Sequence, residues 1–143
     1  MIFDLQSLLS NAQAVTASAA STNLVDLKAH GTAFGHAAPL PRDWGKGKKV
    51  PLLIQVVETF ATLTSLTVSV QVDDNAAFSS PKTIATTPAV VAADLVAGRQ
   101  FVIDAIPRGS DEQFLRLYYT VAGSNATAGK ITAGAVPAIQ TNG

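Results

Sequence analysis

The side chains with the chemical means to act are few, and their spacing does not suit catalysis. His30 and His36 stand six apart across Gly31 and Gly35. That matches neither the i,i+4 spacing that puts two ligands on one helix face nor the i,i+2 spacing of one strand face, so they read as loop histidines. No serine sits in a Gly-x-Ser-x-Gly elbow, the strained turn that exposes a hydroxyl nucleophile. Asp73-Asp74-Asn75 lacks the Gly at the sixth position and the Glu at the twelfth of a calcium loop, and reads as a turn. Asp111-Glu112 beside Arg108 reads as a solvated corner. No Gly-x-x-x-x-Gly-Lys or Gly-x-Gly-x-x-Gly cradle for phosphates occurs. With no cysteine in the chain, disulfides and thiolate chemistry are excluded. The expectation is a protein with no catalytic residue, no metal and no cofactor.

A different chemistry, docking, has better candidates. Residues 29–49 show no period of 2 or 3.6, and loops longer than about 12 to 15 residues are uncommon unless functional or disordered. This stretch holds the single Trp, Trp44, with Phe34, both histidines and the basic run Arg42, Lys46, Lys48 and Lys49. Trp and Arg are over-represented among the residues that carry binding energy at protein interfaces. Phe34, Arg42, Trp44, Lys46, Lys48 and Lys49 are therefore the candidate interface residues. The plain alternative is a solvated loop whose Trp folds back onto its own core. Nucleic acid is the poorer partner, because the chain has zero net charge and lacks a broad basic face.

The elements that must hold such a loop are strands. Leu66, Val68, Val70 and Val72 alternate with Thr67, Ser69 and Gln71; Leu115, Leu117, Tyr119 and Val121 alternate with Arg116, Tyr118 and Thr120. Both are the pattern of a half-buried antiparallel strand. Residues 50–58, 83–86, 100–105 and 130–136 read as further strands, the first so continuously apolar that burial on both faces is expected. Weaker strand signals lie at 14–19 and 24–28. Turn clusters at 73–75, 107–111 and 123–125 separate the runs. One short helix is expected over 87–98, where Thr87 would cap, Pro88 open and Gly98 close it, and one helical turn near 4–9. Residues 137–143 read as a C-terminal arm after the last strand, with Pro137 marking where ladder bonding weakens. About eight short strands with little helix give an all-β, jelly-roll-like β-sandwich, and 143 residues suit one domain.

Charge sharpens the expectation of a partner. Charged residues make 14% of the chain, against about 25% in an ordinary soluble domain, and the mean hydropathy is +0.28. Some surface should be covered. A membrane is not the expected cover, since the best apolar stretches fall well short of the ~20 residues a spanning helix needs. Ala17-Ser18-Ala19 has the form of a signal cleavage site, but no Lys or Arg precedes it and Asp4 interrupts the apolar run; use without secretion is expected.

Several stretches together resemble the capsid cement, or decoration, proteins of short-tailed double-stranded DNA phages. The carrying segments are Ala17-Ser18-Ala19-Ala20-Ser21-Thr22-Asn23-Leu24-Val25-Asp26-Leu27, Val72-Asp73-Asp74-Asn75-Ala76-Ala77-Phe78-Ser79, and Leu95-Val96-Ala97-Gly98-Arg99-Gln100-Phe101. To these add Ile106-Pro107-Arg108-Gly109, Phe114-Leu115-Arg116-Leu117-Tyr118-Tyr119-Thr120-Val121-Ala122-Gly123 and Gly129-Lys130-Ile131-Thr132-Ala133-Gly134. Their order and spacing carry the likeness, since each alone is ordinary strand and turn sequence. The resemblance implies a jelly-roll-like sandwich that self-associates as a dimer or trimer and binds major capsid subunits on the outside of an icosahedral head, assembled in the bacterial cytoplasm. It implies no catalysis and no cofactor. The competing class is a receptor- or carbohydrate-binding β-sandwich of a tail or adhesin, for which nine aromatic residues leave few to build a sugar platform.

Overall fold

A computed structural model describes residues 3–28, 30–31, 35, 37, 40–41, 49–106 and 112–139. Two strands dominate, β6 (Leu52–Asp73) and β10 (Phe114–Ala135), each 22 residues long. Drawn straight, such a strand would span about 70 Å, whereas a chain of this length has a radius of gyration of about 15 Å. The pair must therefore fold over on itself. It pairs antiparallel from Phe114↔Asp73 to Ala135↔Leu52, and the register breaks only in the middle, between Ala122↔Ser65 and Ile131↔Val56. Thr62 (φ +73°), Gly123 (φ +80°) and Gly129 (φ +135°) all adopt left-handed backbone there. Bulges and glycines of this kind bend strands without ending them.

The bend divides the ribbon into two layers. In one, β1 (Leu8–Ala14) flanks β10 at 130–134 and β9 (Gln100–Ile103) flanks β6 at 52–55. In the other, β2 (Ala19–Ala20) and β3 (Val25–Asp26) flank β10 at 114–119, while β7 (Lys82–Thr86) and β8 (Val90–Val91) flank β6 at 65–72. The result is an all-β sandwich built from an eight-stranded antiparallel sheet. A separate two-stranded pairing joins β4 (His30–Gly31) to β5 (Leu40–Pro41), so the stretch expected to be an unstructured loop contains an antiparallel pair.

The alternation read from the sequence supplies the core. Leu66, Val68, Val70 and Val72 face Leu115, Leu117 and Tyr119 in the same cluster as Leu52, Ile54, Val56 and Ile131, all fully buried. Ser10 on β1 reaches across this interior: its Oγ lies 2.7 Å from the Tyr119 hydroxyl and 2.7 Å from Gln13 Oε1. Gln13 Oε1 also accepts the Thr22 N–H at 2.9 Å and Gln13 Nε2 donates to the Ala20 carbonyl. The amide is thus oriented, Ser10 donates to it, and Tyr119 donates to Ser10. At the edge, Ser21 N–H bonds Leu117 in one layer while Asn23 N–H bonds Leu9 in the other, closing that side of the sandwich.

Several expectations need correction. The helix over 87–98 does not form. Thr87 bonds β6 instead, donating its N–H to the Val68 carbonyl and accepting the Val68 N–H on its hydroxyl. The β-branched pair Val90–Val91 then joins the sheet, leaving a single 3-10 turn at Ala92–Asp94. Cross-strand bonds outweigh a local capping signal here. The helical turn expected near 4–9, by contrast, is present as a 3-10 turn, Leu5–Ser7, with Asp4 accepting the Gln6 N–H. Residues 123–125 do not separate two strands, because Gly123 lets β10 bend and continue. The strand expected at 14–19 lies earlier, as β1. Burial on both faces of 50–58 holds for Leu52 to Ile54 and then stops, with Val57 exposed. At Gly134, the register partner of Leu53, the N-terminal segment approaches so closely that a Cβ would meet the Ser7 carbonyl at 2.9 Å.

Candidate docking face

The outer surface of the second layer carries an organised polar arrangement centred on Arg116. Because side chains alternate, Arg116, Tyr118 and Thr120 of β10 point away from the core, beside Gln71, Ser69 and Thr67 of β6. Arg116 is partly buried, and its Nε donates to Gln71 Oε1 at 2.9 Å. Its guanidinium carbon stands 4.0 Å from the centroid of the Phe78 ring and 5.8 Å from that of Tyr118. Both distances lie within cation–π range. Ser69 and Thr86 share a hydroxyl hydrogen bond of 3.1 Å on the same face.

A short loop delivers Phe78 to this position. Asp73, at the end of β6, is buried; its two carboxylate oxygens accept the N–H groups of Asn75 (2.9 Å) and Ser80 (2.8 Å). Asn75 Oδ1 in turn accepts the Ala77 N–H. The Asp-Asp-Asn cluster is therefore a turn, as its sequence implies, with both Asp73 oxygens and Asn75 Oδ1 accepting backbone N–H groups. These bonds, that from Asn75 first, hold the Asp73 carboxyl below the ordinary range, while Asp74, hydrogen-bonded to Asp73, is pushed up. Phe78 sits at φ +52°, a conformation unusual for a bulky residue. Its ring is buried nonetheless.

Of the interface residues expected from the sequence, Phe34, Arg42, Trp44, Lys46 and Lys48 lie outside the described residues, as does His36. Lys49 is exposed just ahead of β6. His30 begins β4. Among the described residues no group of three His, Cys, Asp or Glu could hold a metal ion, and no helix is long and apolar enough to cross a membrane. The sequence placed Arg116 and Tyr118 outward. It carried no signal that Phe78, 38 positions earlier in the chain, lies beneath the guanidinium, because that depends on the β6–β10 register.

Residues 9–135, from β1 to the last residue of β10, match the family model Bbp16. The chain belongs to the Bbp16 family, a phage-related family. No curated protein matches the chain. The Bbp16 match takes in both layers of the sandwich, the bend and the Arg116 face.

Proposed function

We propose that this protein is a capsid cement protein, binding the outside of an icosahedral phage head and stabilising the expanded major-capsid lattice. The observation that carries this reading is the Bbp16 match over 9–135, together with the segments that resemble phage cement proteins. The charge-poor composition supports it, as do apolar side chains left outside the core: Leu5, Val57, Val91 and Val96 are 40 to 81% exposed in the isolated chain. On this reading copies associate as a dimer or trimer, and no reaction is carried out.

The mechanism is linkage. A subunit that binds only the expanded lattice lowers the free energy of that state and so opposes disassembly by heat or internal DNA pressure. Modest contacts suffice, because anchoring at one capsid subunit raises the effective concentration for the next. The test is titration of purified protein onto cement-free expanded heads, counting bound copies and measuring the heat resistance of the heads. Saturation at a fixed copy number with raised heat resistance is expected. Absence of binding overturns the reading.

A further inference from the structure

A guanidinium carries five N–H donors in a rigid fork suited to a carboxylate. Among the described residues the Arg116 guanidinium donates one hydrogen bond, from Nε to Gln71. The four Nη–H groups meet no carboxylate among the described residues, whose ion pairs join Lys82 to Glu112 and Lys130 to Glu58. The carboxylate closest along this face, Asp73, has both oxygens occupied by backbone N–H groups. Arg116 is nevertheless fixed: Gln71 holds it from the side and Phe78 from below, the latter at the cost of a left-handed backbone. Backbone strain of this kind costs of order 1–3 kcal/mol and persists where surrounding structure enforces it. A partly desolvated cation that is held rigid and left unpaired has the makings of an anchor.

Resting on the cement reading, we propose that Arg116 is a docking anchor that receives the carboxylate of an Asp or Glu side chain on the capsid lattice protein. A single carboxylate fits better than a phosphate backbone. The chain has zero net charge and a run of phosphates calls for a broad basic face, whereas one guanidinium fork matches one carboxylate. The flanking hydroxyls of Ser69 and Thr86 and the Tyr118 ring supply polar and apolar contact around the ion pair.

The test uses the intact protein, cement-free expanded heads, and two variants. Arg116→Gln should weaken head binding about 10- to 100-fold, the usual worth of a hydrogen bond to a charged group, measured at a temperature where the free variant is folded, since its Gln71 and Phe78 contacts are lost as well. Arg116→Lys retains the charge without the fork and should fall between. A zero-length carbodiimide should couple its introduced amine to an Asp or Glu of the capsid subunit, read by mass spectrometry. This arm stands even if Arg116→Gln fails to fold. Wild-type binding matched by Arg116→Gln overturns the anchor alone, as does coupling only to a second copy of this chain or none at all. Failure of the wild type to bind heads overturns the cement reading, and the anchor with it.

Discussion

Gly129 is the position where one methyl group should test the bend most sharply. At φ +135° its backbone is nearly closed to L side chains, a strain of about 1–3 kcal/mol. An added Cβ would fall 2.3 Å from Cδ1, 2.5 Å from Cγ and 2.6 Å from Cε1 of the buried Phe60 ring. All three distances lie inside van der Waals contact, so the ring must move. Overpacking of this type adds about 1–3 kcal/mol, giving a loss of about 2–6 kcal/mol for Gly129→Ala. That is a large part of the 5–15 kcal/mol typical of a domain. Denaturant unfolding of Gly129→Ala, Phe60→Ala and the double variant separates the two components. Phe60→Ala alone should cost about 3–5 kcal/mol, and it removes the clash but not the backbone strain. The double variant should therefore be more stable than the sum of the singles predicts, by about 1–3 kcal/mol. A loss below about 0.5 kcal/mol for Gly129→Ala, or effects additive within that margin, would refute this geometry of the bend.

Other outcomes follow from the buried hydroxyls and the Asp73 turn. Ser10→Ala should destabilise by about 1–3 kcal/mol, because it leaves the Tyr119 hydroxyl buried without a partner. Adding Tyr119→Phe should recover part of that loss in the same unfolding assay. Burial pushes the Tyr119 phenol far above its ordinary value, so ultraviolet titration should show it silent until the protein unfolds. Since its folded pKa is raised, its contribution is present below the unfolded value of about 10 and is lost as pH rises beyond it. Asp73 has the opposite sign. Its folded pKa is depressed, so its contribution is present above about 4 and is lost as pH falls through the folded value. Asp73→Asn should accordingly be less stable than wild type at pH 7, with the gap closing below pH 4; an equal gap at both pH values would refute the role given to its two backbone bonds.

Much of the sandwich was legible because strand periodicity is a local property. The alternation in 66–72 and 115–121 named eight inward residues; seven of them, Leu66, Val68, Val70, Val72, Leu115, Leu117 and Tyr119, are fully buried in one core, and Val121 is half-buried against it. Continuity was not legible. Gly123-Ser124-Asn125 looks like a turn in isolation, yet with Thr62 opposite donating its hydroxyl to the Asn125 carbonyl it becomes a bulge inside one long strand. The helix expected at 87–98 failed for the same kind of reason: Thr87 and Val90 found partners on β6 that local capping rules do not see.

Composition and periodicity by themselves determined the all-β class: no cysteine to staple the chain, few charges, and apolar residues alternating along short runs. These are sums over residues or patterns over neighbours, and they need no knowledge of what lies far along the chain. The tertiary structure alone decided how the two long strands fold over, and that Arg116 lies on Phe78 and beside Gln71. Both depend on pairing between residues 38 to 83 positions apart, where register sets which side chains meet. A slip of one residue in β10 against β6 would turn Arg116 from that outer face into the core, with the sequence unchanged.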